Sequence, residues 1–372
     1  MTNVFRLDEL PSETAPAPPG FGSVWYPLPG RVTWGGAVEE LAPRHAICPL
    51  HYHLHEEEML YLLEGELTVR ELEPHADSDT PYREFTLRAG ELIVWAPRTG
   101  IAHQTRNDSD AIARYLVLST TSSREVCIYP DSGKMSVRGV GVGVYTPRDV
   151  LSREARDVIE AAADVAARRP VVRLDDADRP SHVSSPSDLV AHQSGPDRPL
   201  ETSPGRAAGA RFLFVNIARL PPRAITSSLH AHLADEELVV VLSGHPTLRQ
   251  VRGRREGRTA VFDGPEERLV LGPRDAAYWA PQDLVAHQLV NETEDDAVLL
   301  VIGTDCVADD IVLYPERGEV LIAALAPQTS IVQGAFTPFV GDASRGRLEL
   351  TDYYAGEVAP DKRLRPTAEG RT

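Results

Sequence analysis

The chain has 372 residues, 42% hydrophobic and 25% charged, with a formal net charge of −17. That length suggests two domains rather than one core, and the negative charge repels phosphate backbones, so nucleic acid is excluded as an expected partner. Short apolar runs, no apolar signal core in Met1–Arg6 and three scattered cysteines (Cys48, Cys127, Cys306) exclude a membrane span and a disulfide framework, and predict a cytoplasmic protein.

From the N-terminus, Asp8 to Gly22 is rich in proline and reads as an extended arm. The first chemical pattern is His51-Tyr52-His53, followed by Glu58 and Gly65. Alternate residues of a strand share a face, so His51 and His53 project together. Glu58 lies an odd step beyond His53, so Leu54 to Glu57 must turn or bulge. Glu58 then opens a neighbouring strand with Leu60 and Leu62 on its face, and Gly65 permits the tight turn that ends it. Strand patterns cover Met59–Val69, Glu91–Trp95 and Ala113–Ser119. Between the last two stand the turn signal Pro97-Arg98-Thr99-Gly100, then His103 and Asn107. Met59, Tyr61 and Leu63 make the second face of the Glu58 strand apolar as well. That face is expected to lie against the other half of the chain or against a second subunit, as in a homodimer. Gly139 to Val144 imitates a dinucleotide loop, but its third glycine is misplaced and no helix opens there.

Ser152 to Arg169 is the one strongly helical window, with Ser152 as N-cap and Pro170 as stop. It reads as a linker helix packed on a domain. A second polar arm runs from Asp176 to Gly209. Strands are expected at Phe212–Ala218, Leu238–Leu242 and Ala297–Ile302, and Arg252 to Arg258 reads as a solvated hairpin turn. Around these, the markers of the first half return in order. Val171–Asp175 answers Val4–Asp8, and His230-Ala231-His232, Glu237 and Gly244 repeat the first pattern at identical intervals. Trp279-Ala280-Pro281 answers Trp95-Ala96-Pro97, and His287 with Asn291 answers His103 with Asn107. Tyr314–Gly318 answers Tyr129–Gly133, and Gly334–Pro338 answers Gly143–Pro147. The chain is an internal duplication. The expected division is a first domain at 1–150, a linker at 151–170, a second domain at 171–345 and a tail at 346–372.

Three imidazoles and one carboxylate are a full ligand set for a divalent metal, and the set is written twice: His51, His53, Glu58, His103 and His230, His232, Glu237, His287. Such ligands suit Fe2+ or Mn2+ first, with Zn2+, Ni2+, Co2+ or Cu2+ as alternatives, and the absence of clustered cysteine disfavours structural zinc. Glu56 and Glu57 compete with Glu58, as Asp235 and Glu236 compete with Glu237; the matched register favours Glu58 and Glu237. His55 has Ala234 as its counterpart and reads as a turn histidine in solvent, the alternative being a general base of the first site. Asn107 and Asn291 are expected to fix the turn after each lone histidine.

At these residues the chain resembles the cupin superfamily, whose motifs are G-x5-HxH-x3,4-E-x6-G and G-x5-PxG-x2-H-x3-N. The HxH-x4-E-x6-G part stands in both halves, while Ala46 and Ala224 lie near the place of the leading glycine. Gly90, Pro97, Gly100, His103 and Asn107 follow the second motif with an extra residue on each side of the proline. In the second half Arg274 and Leu284 stand at the glycine positions, leaving the shape of those turns open. The resemblance implies an all-β chain of two jelly-roll (double-stranded β-helix) barrels joined by a short helix, with both four-residue sets binding metal. It implies a small-molecule substrate, and the expected activity is a metal-dependent oxidoreductase of dioxygenase type acting on an oxygen-rich molecule, with Glu58 or Glu237 taking a proton. The alternatives are a decarboxylase-like lyase or an isomerase using the metal as Lewis acid, and a binding protein without turnover. The fold does not choose between them.

Overall fold

The computed structural model describes residues 3–30, 32–144, 154–193, 195, 197–256, 259–304, 310–317, 319–323, 339–342 and 347–350. Cys306, the N-cap candidate Ser152, the closing markers Tyr145 to Pro147 and Gly334 to Pro338, and the tail beyond Pro360 lie outside these residues. Strands dominate, and they form two barrels built to one plan. In the first, a six-stranded sheet runs in the order Val183–Ser184, Leu92–Trp95, Glu58–Glu64, Ala113–Thr120, Trp34–Leu41, Val24–Pro27. In the second, the order is Val4–Arg6, Asp275–Trp279, Glu237–Ser243, Ala297–Thr304, Leu213–Leu220, Leu200–Thr202. The duplication in the sequence is thus a duplication of strand order.

The run from Met59 to Val69 lies on two strands, Glu58–Glu64 and Glu66–Leu72, with the expected turn at Gly65 between them. Gly65 has φ 84° and its counterpart Gly244 has φ 81°. A Cβ at Gly65 would meet the Ala113 backbone at 3.2 Å, and one at Gly244 would meet the Ala297 backbone at 2.6 Å. Conformation and space both require glycine there. At the positions where the second half departs from the motif, the turns are kept without it. Arg274 (φ 72°) and Leu284 (φ 51°) hold the left-handed backbone that Gly90 and Gly100 hold in the first barrel.

Each six-stranded sheet is apolar on both faces. In the first barrel Leu60, Leu62, Ile93 and Tyr115 face inward. On the other face Met59, Tyr61, Val94 and Leu118 join Leu238, Val240, Tyr278 and Ile302 of the second barrel in one shared core. The other half of the chain therefore covers the second face of the Glu58 strand. Burial of each such leucine stabilises the assembly by about 1.5–3 kcal/mol.

Two carboxylates lock this interface. Glu57, fully buried, accepts the backbone N–H groups of Arg211 (2.7 Å), Phe212 (3.1 Å) and Leu213 (3.1 Å). Glu236, its buried counterpart, accepts the N–H of Val32 (2.9 Å), the N–H and hydroxyl of Thr33, and the hydroxyl of Tyr278. Each barrel thus holds the start of the other's long strand. Of the four competing carboxylates of the sequence, Glu57 and Glu236 serve the interface, while Glu56 pairs with Arg138 and Asp235 accepts from Thr304.

The arms cross between barrels. Val4–Arg6 pairs with Asp275–Ala277 of the second barrel, whereas Val183–Ser184 and Val171–Arg173, which follow the linker, pair with Leu92–Ile93 and Tyr82–Glu84 of the first. The second arm is more than an extended stretch, because it carries the strand Leu200–Thr202 and the one-turn helix Pro204–Ala207, with Ala208 in the shared core. The linker helix spans Glu154–Arg168. From Glu160 onward it is mostly exposed, Val165 included, and its C-terminal end is attached to the first barrel. Arg169 makes that attachment, donating to the carbonyls of Asp77 and Thr80 with its guanidinium 5.5 Å from the Tyr82 ring. In the region of the expected hairpin, Arg254–Glu256 pairs with Thr259–Val261.

Replacing Glu57 by Ala leaves three interface N–H groups unpaired, each costing about 1–3 kcal/mol. Urea unfolding followed by tryptophan fluorescence is expected to show a loss of roughly 3 kcal/mol or more for Glu57→Ala, against less than about 0.5 kcal/mol for the exposed Glu9→Ala. An unchanged midpoint in Glu57→Ala would refute the locking role.

Candidate metal centres

Three strands bring each ligand set together. In the first barrel His53 lies on Tyr52–His53, Glu58 opens Glu58–Glu64 after the turn at Leu54–Glu57, and His103 lies on Ala102–Arg106, bridged to His51. His230, His232, Glu237 and His287 are placed in the same way on the second. Every residue expected in the two sets is therefore found in its cluster, with one ligand atom from each within 4.8 Å of all the others.

The spacing suits a cation. His51 Nε2 and His53 Nε2 are 3.1 Å apart, and Glu58 Oε2 lies 2.8 Å from His53 Nε2, 3.5 Å from His103 Nε2 and 3.7 Å from His51 Nε2. In the second cluster the imidazole pair is 3.0 Å apart, and Glu237 Oε2 lies 3.2, 3.7 and 3.9 Å from His232, His287 and His230. Ligand atoms held by one cation at about 2.0–2.2 Å stand about 3–3.5 Å from one another. His103 Nε2 and His287 Nε2 are buried without a hydrogen-bond partner, which is costly unless a ligand completes them.

The protein also fixes the rings from behind. His53 Nδ1 lies 3.2 Å from Glu125, and His232 Nδ1 lies 2.7 Å from Asp310. Burial alone would lower both imidazoles, but Glu125 with Glu58 brings His53 up to about 9, and Asp310 with Glu237 brings His232 up to about 10. His103 falls to about 4 and His230 to about 3, each mainly through burial. Burial pushes Glu58 and Glu237 upward, yet the surrounding imidazoles outweigh it and hold both well below the usual carboxylate range. A carboxylate behind a ligating imidazole sets its tautomer and orientation. Trp95 stacks on His103 at 3.9 Å and Trp279 on His287 at 3.7 Å, while Tyr129 and Tyr314 lie over His51 and His230.

Glu125 and Asp310 were not among the residues singled out from the sequence. Their signal is an acidic residue four positions before each repeated Tyr-Pro, at Tyr129 and Tyr314. Asn107 and Asn291 behave as expected. Each donates to two carbonyls (Leu41 and Ala111; Leu220 and Asp295) and accepts from the backbone of Ser109 or Thr293. His55 is half-buried and gives its backbone N–H to Glu125 at 3.1 Å. The glycine-rich Gly141–Val144 is a strand, in keeping with the rejected dinucleotide loop. A cavity of about 540 Å³ opens beside the first cluster, walled by Cys48, Cys127, Tyr129, Ser136 and Arg138.

Two jelly-roll barrels, each enclosing a His3Glu cluster, define a two-domain protein of the cupin kind. Residues 37–119, most of the first barrel, match the family of cupin domains (Cupin_2). The chain thus carries a cupin domain in its first half and has the two-barrel fold of a bicupin. Comparison with curated proteins finds no match. Among solved structures, the oxalate decarboxylase of Bacillus subtilis at pH 4.6 is similar with a TM-score of 0.52 and 14% identity, over 95% of this chain and 87% of that one. The formate complex of the Lactobacillus farciminis oxalate decarboxylase gives 0.51 and 15%, over 89% and 92%. At such identities the likeness is one of fold. Among the described residues, no helix is long and apolar enough to cross a membrane.

His51→Ala and His230→Ala are each expected to remove about half of the bound metal and the double variant nearly all of it, by elemental analysis of purified protein. Glu125→Gln should weaken the first site alone by about tenfold to a hundredfold. Full metal retention in the double variant would sink the assignment.

Proposed function

We propose that this bicupin is a metalloenzyme of the lyase class, decarboxylase-like, acting on a small oxygen-rich acid at the first cluster. The observation that carries this is the cavity beside that cluster, walled in part by the polar side chains of Cys48, Tyr129, Ser136 and Arg138 and next to four buried or half-buried ligand residues, with both ring nitrogens of His103 left unpartnered. The dioxygenase reading of the sequence gives way to its alternative because the similar solved structures named above are oxalate decarboxylases. That support is one of fold, and the chemistry rests on the site.

In this reading His51, His53, Glu58 and His103 hold a divalent cation, Mn2+ or Fe2+ before the others. When bound it supplies Lewis acidity and open positions for substrate oxygens. Glu125 fixes the ring of His53, Tyr129 shields His51, and Glu58 is the group positioned to take or return a proton. The second cluster binds the same kind of cation with an apolar residue, Val312, where the first has Cys127. The free thiols Cys48 and Cys127 accord with a reducing, cytoplasmic setting.

The test is metal analysis after aerobic and anaerobic purification, then assay of the Mn2+- and Fe2+-loaded protein with a panel of small hydroxy-, oxo- and dicarboxylic acids. Release of CO2 without net oxygen consumption is the expected result. Oxygen uptake matched to substrate loss would restore the dioxygenase reading. Full metal content with neither would leave a binding protein.

A further inference from the structure

The two metal clusters match almost atom for atom, but their walls do not. The strand pairing puts Cys127 opposite Ser136 in the first barrel and Val312 opposite Leu321 in the second. By the same register Ala323, paired with Asp310, stands where the first barrel has Arg138, whose N–H meets the Glu125 carbonyl at 3.0 Å. Among the described residues lining the cavity, Arg138 is the only arginine or lysine.

Arg138 is placed to do more than neutralise its partner. It grips Glu56 with both terminal nitrogens, at 2.8 and 3.0 Å, and Glu56 also accepts the Ser122 N–H at 2.7 Å. The Glu56 side chain is 4% exposed, whereas that of Arg138 is 45% exposed. A guanidinium has five N–H donors, so a bidentate pair along one edge leaves donors for a second anion. A carboxylate oxygen of Glu56 lies within 4.8 Å of a ring nitrogen of His53, which puts Arg138 one carboxylate away from the cluster. The other acid beside the cluster, Glu125, is occupied by His53 and by the N–H groups of Leu54 and His55.

We propose that Arg138 is a specificity-determining residue of the first site, taking the far carboxylate of a small diacid whose near end reaches the metal cluster, with Glu56 holding the guanidinium in place. The proposal rests on the metalloenzyme reading. It confines diacid binding to the first barrel, because Ala323 stands at the matching position of the second.

The experiment is calorimetric titration of the Mn2+-loaded full chain with oxalate, malonate and succinate and with their neutral diamides, Mn2+ content being measured on the same samples. The wild-type protein is expected to bind at least one diacid, one per chain, more tightly than its diamide. R138Q should weaken that diacid by roughly tenfold to a hundredfold at unchanged Mn2+ content. E56Q, which releases the guanidinium, should bind it at least as tightly as wild type. The E56Q/R138Q variant, which leaves no buried charge unpaired, should still show the loss. If Arg138 and Glu56 are only a structural latch, E56Q and R138Q weaken binding together, and the proposal is overturned. A diacid bound no better than its diamide, or two bound per chain, overturns it as well. Failure to take up Mn2+ would instead bring down the metal reading, and this proposal with it.

Discussion

The structure depends on the exchange of carboxylates between the two barrels. Glu57 and Glu236 are buried, and each is satisfied by the backbone of the opposite half. A buried carboxyl group in such a place is tolerable only with a full set of hydrogen-bond donors, and the donors exist only when both barrels are in register. Hydrophobic contact between the two sheets supplies most of the favourable energy, but it is weakly directional. The carboxylates supply the direction. Each is also the residue immediately before a metal-site glutamate, so the polypeptide that aims Glu58 or Glu237 into its cluster is pinned from across the interface.

Much of this was legible in the sequence. The ligand sets could be read because strand alternation forces His51 with His53 and His230 with His232 onto one face. Glycine at positions 65 and 244 marked turns that no other residue could make. Apolar residues on both faces of the Glu58 strand predicted a covered sheet, and the shared core covers it. What escaped was what needs a partner distant in sequence. Glu57 and Glu236 looked like rivals for the metal because local spacing says nothing of a backbone more than 150 residues away. Glu125 and Asp310 escaped because their role is set by pairing of the strands Val126–Tyr129 and Asp310–Tyr314 with the histidine strands, not by a motif.

The second half shows which parts of the design tolerate change. Arg274 and Leu284 adopt a backbone that disfavours L-residues, at a cost of about 1–2 kcal/mol each, so the turn is kept although the glycine is not. The asparagine after the last histidine keeps every one of its bonds, down to the distances of 2.8 and 2.7 Å to the two carbonyls. Divergence is concentrated in the walls around the clusters, where Cys48 faces Ser227 in the comparison and Cys127 faces Val312. Ligands and turns are common to both barrels, and what differs is what each site presents to a visiting molecule.

The crossed arms bear on how the molecule comes into being. The outer strand of the first barrel's sheet is Val183–Ser184, and that of the second is Val4–Arg6. During synthesis, the first barrel therefore stays open along one edge until the linker and the residues beyond it have left the ribosome. The strand Val4–Arg6, made before either barrel, waits for Asp275 to Ala277 before it can pair. Two sequence repeats thus yield one object: neither half carries all the strands of its own barrel, and division of the gene at the linker would part each barrel from its own edge.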